Sequence, residues 1–474
     1  MKQQKVAIIG GGITGLSAAF YLQQKARKEK RDLSITLFEA DHRLGGKFQT
    51  IRQDGFVMER GPDSFLERKA SAKQLAIDLG LEDQLVRNQT GQAFILKSGS
   101  LLPIPEGAVM GVPTRLAPFA FTPLFSLKGK IRAAGDLVLP RLSYEQDISV
   151  GSFFRKRLGD EVVEGLIEPL LSGIYAGNLD ELSLAATFPQ FVRMEKEHRS
   201  LVLATRRSRP SNQGTGSKKG MFLTLKHGLA GFVEALENQL SAVSIRTGTH
   251  VNGIKPLESG FRICTDSGQD WEVDSVVVTL PHSVTRRVLP EHPALVGPKE
   301  SNQATSVATV IMAYEKQAIK QDIEGTGYLV PRREDTTITA CTWTHKKWPH
   351  TTPDGKALIR CYVGRAGDDS IVDEEDETII SKVRKDLKTI SRIEDEPVYT
   401  QVSRWKQSMP QYGIGHATWV EHMEKEIQNQ WPGLFLAGAS YRGIGIPDCI
   451  DQGKQAVESV WRFIQNRETS YKEQ

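Results

Sequence analysis

Cysteine is scarce in this sequence, and the cysteines that are present form no pattern. The 474 residues include four cysteines, Cys264, Cys341, Cys361 and Cys449, and no two of them form a C-x-x-C pair. This excludes a disulfide framework and argues against zinc or iron–sulfur ligation. The ten histidines show no metal-ligand spacing either. We therefore expect no metal site and a reducing compartment.

Long apolar runs and a strong excess of one charge are also missing. No run of about eighteen apolar residues occurs, so the sequence predicts no membrane-spanning helix. Lys and Arg number 61 against 57 Asp and Glu, a balance that does not favour nucleic-acid binding. Because the first predicted strand begins almost at once, we expect no signal peptide. We expect a cytoplasmic protein whose membrane contact is peripheral at most.

Four short apolar runs predict the strands of a buried parallel sheet. They are KVAIIG (5–10), SITLFEA (34–40), DSVVVTLP (274–281) and LFLAG (434–438). A helical pattern follows the first run, which is typical of a βαβ unit, and another begins near Pro447. We expect an α/β protein with one Rossmann-like sheet, interrupted by two long insertions.

A glycine motif lies between the first strand and the first helix. Gly10, Gly12 and Gly15 form G-x-G-x-x-G, which permits a tight turn, close approach of a pyrophosphate and close packing of helix on strand. The helix N-terminus offers free N–H groups to the phosphates. Glu39 follows the second strand, where a carboxylate accepts from ribose hydroxyls and repels a 2′-phosphate. The motif predicts a dinucleotide site that disfavours NADP.

The residues after the second strand indicate which dinucleotide binds. The segment EADHRLGGK (39–47) resembles the extended motif of the flavin amine oxidase superfamily, which simple NAD dehydrogenases lack. The resemblance implies FAD, held in part by Ala40, Arg43 and Lys47.

A second glycine-rich turn stands near the C-terminus. We expect the helix that begins near Pro447 to direct its N–H groups at the flavin N1–C2=O edge, where reduced flavin carries negative charge. The backbone before it would then lie against the ring, and the predicted contacts are Gly438, Ile444, Gly445 and Ile446. One long cofactor would be held at both ends.

Three further segments resemble the protoporphyrinogen oxidase family, and within it the soluble bacillus-type branch that acts on coproporphyrinogen III. They are ERGPDSFLERK (59–69), IEPLLSGIYAGNLDELSLAATFPQ (167–190) and RWKQSMPQYGIGH (404–416). The resemblance covers essentially the whole chain. It implies a six-electron oxidation of coproporphyrinogen III, and also of protoporphyrinogen IX, by molecular oxygen in haem biosynthesis. It further implies hand-off of the porphyrin to a ferrochelatase.

The same resemblance implies roles for residues that the pattern alone leaves open. Those expected to contact the cofactor along the flavin, at the adenine or beside the ring are Gly61, Pro62, Asp63, Ser64, Val251 and Trp405. Those expected to contact the macrocycle are Gly173 and Ile174. No acid or base residue is evident from spacing, and none is assigned.

Anchoring of the substrate propionates requires cations. Helical spacing places Arg68 on the apolar stripe of Ala72, Leu75 and Leu79, whereas the resemblance favours the adjacent Lys69. An arginine in the first turn can also extend to water without binding anything. We expect Lys69 to bind a propionate, with Arg68 in support.

The resemblance also implies three domains. The expected FAD-binding domain is discontinuous, the substrate domain is β-rich and the third domain is helical; they comprise 1–70, 221–290 and 401–474; 71–100 and 291–400; and 101–220. Residues 101–142 are apolar but rich in proline and glycine. They predict either a helical unit with its own core or a surface that touches membranes.

Two other function classes share parts of this pattern. An amine oxidase or a carotenoid-type desaturase would have the FAD motifs without the SGIYAG segment, and a non-catalytic flavin or porphyrin carrier would lack turnover. Some amine oxidases attach flavin through a cysteine near the segment matched by SMPQYGIGH (408–416), which contains no cysteine here. We therefore expect non-covalent FAD.

Overall fold

A parallel sheet joins the two ends of the chain. The computed structural model describes residues 3–89, 91–142, 146–207, 220–298 and 304–472. In these ranges the sheet has five strands, in the spatial order Val243–Arg246, Leu33–Phe38, Gln4–Ile9, Ser275–Val278 and Leu434–Leu436. The four predicted strands all belong to it. The fifth was not predicted, because only Val243 of this short edge strand is buried and its pattern is weak.

Two helices pack together on this sheet. The first helix, Ile13–Lys28, and the C-terminal helix, Ile446–Lys472, share one apolar core with the sheet. Gly453 lies at their crossing: a Cβ atom there would come within 2.7 Å of the Thr14 carbonyl oxygen. Since any side chain at this position would push the helices apart, this glycine brings the two helix N-termini together.

A second, mostly antiparallel sheet forms the β-rich part of the molecule. Seven of its strands lie in the described ranges, in the order Tyr399–Pro410, Ala304–Glu315, Lys356–Val363, Ile338–Trp343, Gly327–Leu329, Phe94–Lys97 and Ser100–Pro103. The helix Asp376–Ser391 covers it with apolar residues. This sheet agrees with the expected β-rich insertion.

The elements differ from the predicted domain boundaries in two places. The helix Ala70–Asp78 buries Ala72 and Leu75 in the core of the parallel sheet, although it was assigned to the substrate domain. The strand Tyr399–Pro410 crosses the boundary at 400, because it pairs along most of its length with Ala304–Glu315. Neither long-range contact is visible in local sequence. The division into three domains stays a prediction.

Residues 101–142 and 146–207 are mainly helical and surround a separate core. This core contains Val112, Phe125 and Phe153. The helices are Leu116–Phe121, Leu127–Ala134, Val150–Leu158, Asp160–Val162, a π-helical turn at Val163–Ile167, Glu168–Tyr175, Leu184–Thr187, Pro189–His198 and Leu201–Arg207. The expected helical core is therefore present. The same region also exposes Phe121 and Val138, at 87% and 75%.

Shorter elements connect these parts. The remaining strands form a hairpin, Thr50–Gln53 with Phe56–Glu59, and small sheets of Val251–Pro256, Phe261–Thr265 and Trp271–Val273; of Phe65–Leu66, Phe222–Leu225 and Leu85–Arg87; and of Ala108–Val109 and Val112–Pro113. The remaining α-helices are Ala230–Gln239, His282–Val288, Thr344–Lys347 and His416–Gln430. Within the described parts of the chain, no helix is long and apolar enough to cross a membrane.

A fully buried ion pair holds the helical part together. Arg157 and Asp136 have side chains that are 0% exposed, and Arg157 Nε donates to Asp136 Oδ1 at 2.7 Å. Arg157 also donates to the Pro140 carbonyl, while the second carboxylate oxygen accepts from Ser200 Oγ at 2.6 Å. Because each partner is satisfied by the other and by neighbouring groups, the pair fixes the segments 136–140 and 199–202 on the helix Val150–Leu158.

Replacement of Arg157 should therefore be costly. We expect Arg157→Met to lower the free energy of unfolding by about 3–5 kcal/mol, because it leaves the Asp136 carboxylate buried without its counter-ion. Arg155→Met is a matched control on the same helix, whose ion pairs are partly exposed, and should cost about 1 kcal/mol or less. Chemical denaturation followed by circular dichroism measures both. Equal losses for the two variants would contradict the structural role of the buried pair.

Candidate functional site

The predicted glycine motif forms a tight turn at the start of the first helix. Gly10 has a φ of +108°, and a Cβ atom on Gly15 would lie 1.9 Å from the Gly10 carbonyl oxygen. These two glycines are therefore required by the fold itself. A Cβ atom on Gly12, by contrast, would meet no protein atom within 4 Å. Gly12 borders open space at a helix N-terminus, as the approach of a phosphate requires.

The Glu39 carboxylate stabilises this turn by accepting two backbone hydrogen bonds. One carboxylate oxygen accepts from the Gly11 N–H at 2.6 Å, and the other accepts from the Asp41 N–H at 2.8 Å. Gly45 N donates to the Gly11 carbonyl at 2.8 Å, so both glycine loops are connected. The half-buried carboxylate thus orders the loop around the expected ribose site, an effect the sequence pattern did not indicate.

The loop that follows lies over the same opening. Arg43 donates to the Gly46 carbonyl at 2.6 Å and holds the loop in shape, while Ala40 is exposed. Lys47 donates through Nζ to the Ser408 carbonyl. Lys47 is exposed to solvent, and desolvation by the surrounding protein groups lowers the pKa of its ammonium.

The segment Gly61–Ser64 packs against this loop and would form one wall of the expected cofactor site. A Cβ atom on Gly61 would lie 1.9 Å from the Lys47 carbonyl oxygen and 3.5 Å from the Trp405 ring. Trp405 Nε1 donates to the Arg60 carbonyl at 3.0 Å. The structure thus brings Trp405 beside the predicted flavin-contacting segment, from a strand more than 300 positions away.

Asp63 is held within this wall. Lys347 Nζ lies 2.9 Å from its carboxylate, and Ser64 Oγ donates to it at 2.7 Å. Burial would raise the pKa of Asp63, but Lys347 and Arg360 outweigh burial and hold it well below its usual range. Asp63 is therefore a charged anchor of the wall at neutral pH. Pro62 beside it is half-buried.

The C-terminal turn closes the other side. Gly438 and Gly443 have φ values of +122° and +106°. The Tyr412 hydroxyl accepts from the Gly443 N–H at 2.8 Å and donates to the Ala439 carbonyl at 2.6 Å, so it holds both ends of the turn. Sequence reasoning missed Tyr412, although it lies in the MPQYGIGH segment that carries the resemblance.

This turn rests on two cores at once. Ile444 packs against the helical core, and Ile446 is buried in the core of the parallel sheet. The expected start of the helix near Pro447 is confirmed, since the helix begins at Ile446. The turn is therefore fixed from both sides.

The two segments with the most specific resemblance meet at this turn. The rings of Tyr175 and Tyr412 are 5.5 Å apart, and Gln411 Nε2 donates to the Tyr175 carbonyl at 2.9 Å. Near Tyr175, a Cβ atom on Gly173 would meet no protein atom within 4 Å, and Ile174 is 44% exposed. The predicted macrocycle contacts thus border open space. Tyr175 and Gln411 were not predicted.

The prediction that helical spacing places Arg68 on an apolar stripe is wrong. The helix starts at Ala70, because Phe65 and Leu66 pair as a strand with Phe222–Leu225 and the chain must turn before the helix begins. Helical spacing therefore does not apply to Arg68, which is exposed. Lys69 stands at the N-cap position without a capping hydrogen bond from its side chain. Its ammonium instead contacts both carboxylate oxygens of Asp448 at 2.6 Å.

The expected role of Gly445 also changes. A Cβ atom there would lie 2.7 Å from Asp448 Oδ2, so a larger residue would first displace this carboxylate. Loss of flavin from a Gly445 variant would therefore not by itself locate the ring.

Val251 lies near Glu39. It is 5% exposed and begins the strand Val251–Pro256. Two residues earlier, Thr249 N donates to the Glu39 carbonyl at 2.9 Å. The structure therefore brings the predicted adenine contact next to the predicted ribose contact.

The first helix and the C-terminal helix thus both begin beside the predicted cofactor-binding segments. The open space at Gly12 and the turn at 443–446 agree with the expectation that backbone N–H groups bind one extended dinucleotide at two positions. The profile of the family described as flavin containing amine oxidoreductase matches residues 13–461. The chain belongs to this family. Its members carry a flavin, and the expected superfamily and α/β fold class are confirmed.

Individual relatives are similar over nearly the whole length. The coproporphyrinogen III oxidase of Bacillus subtilis strain 168 is 50% identical over 465 residues, which cover 98% of this chain and 99% of the relative. The enzyme of the same name from Staphylococcus aureus strain NCTC 8325 is 43% identical, covering 96% and 99%. A crystal structure of a candidate protoporphyrinogen oxidase from Exiguobacterium sp. 255-15 has a TM-score of 0.87 at 43% identity, covering 97% and 99%.

Two glycine variants distinguish a glycine that folding requires from a glycine that cofactor binding requires. Gly12→Ala places a methyl group in open space with a backbone that alanine adopts, so flavin retention should fall about tenfold or more while the flavin-free protein loses less than about 1 kcal/mol. Gly15→Ala should lower the stability by about 1–3 kcal/mol, because the helix must move off the strand. Dialysis, flavin absorbance and thermal melting measure the effects. Unchanged flavin retention in Gly12→Ala would show that the phosphates lie elsewhere.

Proposed function

We propose that this protein is a coproporphyrinogen III oxidase of haem biosynthesis, which uses non-covalent FAD and molecular oxygen and also accepts protoporphyrinogen IX. The observation that carries the proposal is the 50% identity over 98% of the chain with the Bacillus subtilis coproporphyrinogen III oxidase. The reaction converts one porphyrinogen and three O₂ to one porphyrin and three H₂O₂. Bound FAD would supply the hydride acceptor and pass the electrons to oxygen.

In this proposal, the residues of the protein bind and orient FAD and the substrate. Backbone N–H groups of the first helix would hold the pyrophosphate, and Glu39 and Val251 the adenosine. Trp405 and the segment Gly61–Ser64 would line the flavin, together with the turn that includes Gly445. Hydride transfer requires the substrate carbon to be held against the ring, and the proton lost with each hydride would pass from a pyrrole N–H to solvent. We assign no acid or base residue.

The substrate would enter beside the C-terminal turn. Ile174 and Gly173 offer an apolar surface with open space in front of it. Lys69 is the cation expected to bind a propionate, and its side chain is 41% exposed. Its ammonium has three donors, so the contact with Asp448 leaves it able to bind a further carboxylate.

The described cysteines favour a non-covalent cofactor. Burial raises the pKa of the Cys449 thiol to about 11, which disfavours the reactive thiolate next to the turn. The strand that carries Trp405 and the segment SMPQYGIGH (408–416) contain no cysteine. Acid precipitation should therefore release the FAD into the supernatant.

The proposal is tested with the purified yellow protein and reduced coproporphyrinogen III under air. We expect a rise in porphyrin fluorescence that depends on the enzyme and is accompanied by three equivalents of H₂O₂. Heat-treated protein is the control for spontaneous oxidation. An amine oxidase would instead oxidise amines, and a carrier would bind porphyrin without turnover. The absence of any enzyme-dependent rise would refute the proposal.

Lys69 allows a second test. Lys69→Ala should raise KM for coproporphyrinogen about tenfold with kcat little changed, because a charge-assisted bond far from the reacting carbon acts equally on ground and transition states. The effect should be smaller for a substrate with a vinyl group at that corner. Arg68→Ala is the matched control, since Arg68 is adjacent but exposed outside the helix. Equal KM values for Lys69→Ala and the wild type would remove Lys69 from the substrate site.

A further inference from the structure

An ion pair lies directly over the C-terminal glycine turn. Asp448 is in the first turn of the C-terminal helix, and its carboxylate contacts Lys69 Nζ through both oxygens at 2.6 Å. A Cβ atom on Gly443 would lie 2.8 Å from Asp448 Cγ, and one on Gly445 would lie 2.7 Å from Oδ2. The carboxylate therefore lies against the backbone of the turn, and the two glycines leave it room to do so.

The Asp448 carboxylate lies at a helix N-terminus that is also expected to act on the flavin. Acidic residues stabilise helix N-termini in general. Here, however, the same N-terminus is the one expected to stabilise the negative charge of reduced flavin, so an uncompensated carboxylate would act against it. Lys69 reaches Asp448 from the start of another helix, Ala70–Asp78.

Among the other charged groups near the helix start, Arg442 is already paired with Glu424. Lys47, Lys69 and Asp448 all act on the pKa of Cys449, although burial has the larger effect. Lys47 donates to the Ser408 carbonyl and has no part in the Lys69–Asp448 contact. Lys69 is thus the group positioned to offset Asp448.

We infer that the Lys69–Asp448 pair tunes the reduction potential of the bound flavin: Lys69 cancels the charge of Asp448, so that the helix N-terminus can stabilise the reduced ring. This inference rests on the proposed function for the position of FAD. It gives Lys69 a role that exists without substrate, separate from propionate binding, and it makes Asp448 a positioning residue for Lys69.

The midpoint potential of the bound FAD, measured without substrate by equilibration with a redox dye, tests the inference. Lys69→Met should lower the ratio of reduced to oxidised flavin at fixed potential about tenfold, which is about 30 mV for a two-electron couple. Asp448→Asn should raise this ratio by a similar factor. The double variant should return to within about twofold of the wild type.

A matched control comes from an ion pair elsewhere. Lys382 contacts both oxygens of Glu374 at 2.7 Å with similar exposure, on the helix that covers the antiparallel sheet. Lys382→Met should leave the potential unchanged. The inference would be overturned if Lys69→Met and Asp448→Asn shifted the midpoint potential in the same direction. It would also be overturned if the double variant kept the full shift of either single variant. If Asp448→Asn loses its flavin, the midpoint potentials of Lys69→Met and Lys382→Met can still be compared. An unshifted potential in Lys69→Met overturns the inference.

The measurement is independent of porphyrinogen turnover. Shifted potentials in a protein that forms no porphyrin would support the ion pair and refute the proposed substrate. Porphyrin formation with unshifted potentials would refute the ion-pair inference alone.

Discussion

The site depends on the close crossing of the first and last helices. Gly453 permits this approach, since a side chain there would meet the Thr14 carbonyl. The crossing brings the starts of the two helices close together, although the helices are separated by most of the chain. Each N-terminus has N–H groups without a partner inside the helix, so both positions favour negative charge. The other walls are arranged around this pair of helix ends.

Much of this arrangement follows from local sequence. Gly10 and Gly15 are needed at the tight turn, Glu39 comes directly after a buried strand, and the start of the C-terminal helix near Pro447 follows from its apolar spacing. These features depend on neighbours a few positions away, and the physical rules for strands, turns and caps apply to them directly. The position of Gly12 at open space also agrees with the pattern.

Other features depend on contacts between distant segments. Arg68 was misplaced because pairing of Phe65–Leu66 with residues near 222 interrupts the helical spacing. Tyr175 and Gln411 are 236 positions apart, and no periodicity indicates that they meet. Tyr412 looks like an ordinary core aromatic, and only the structure shows its hydroxyl bridging the turn. The Lys69–Asp448 contact is of the same kind.

The turn at 443–446 has a consequence for how related proteins can be recombined. Ile444 belongs to one apolar core and Ile446 to another, with two residues' separation along the chain. An exchange of the helical segment between homologues would therefore have to include the surroundings of Ile444, or the turn would lose its support on one side. The helical part is thus not an interchangeable module, because its packing surface extends to the turn before the last helix of the chain.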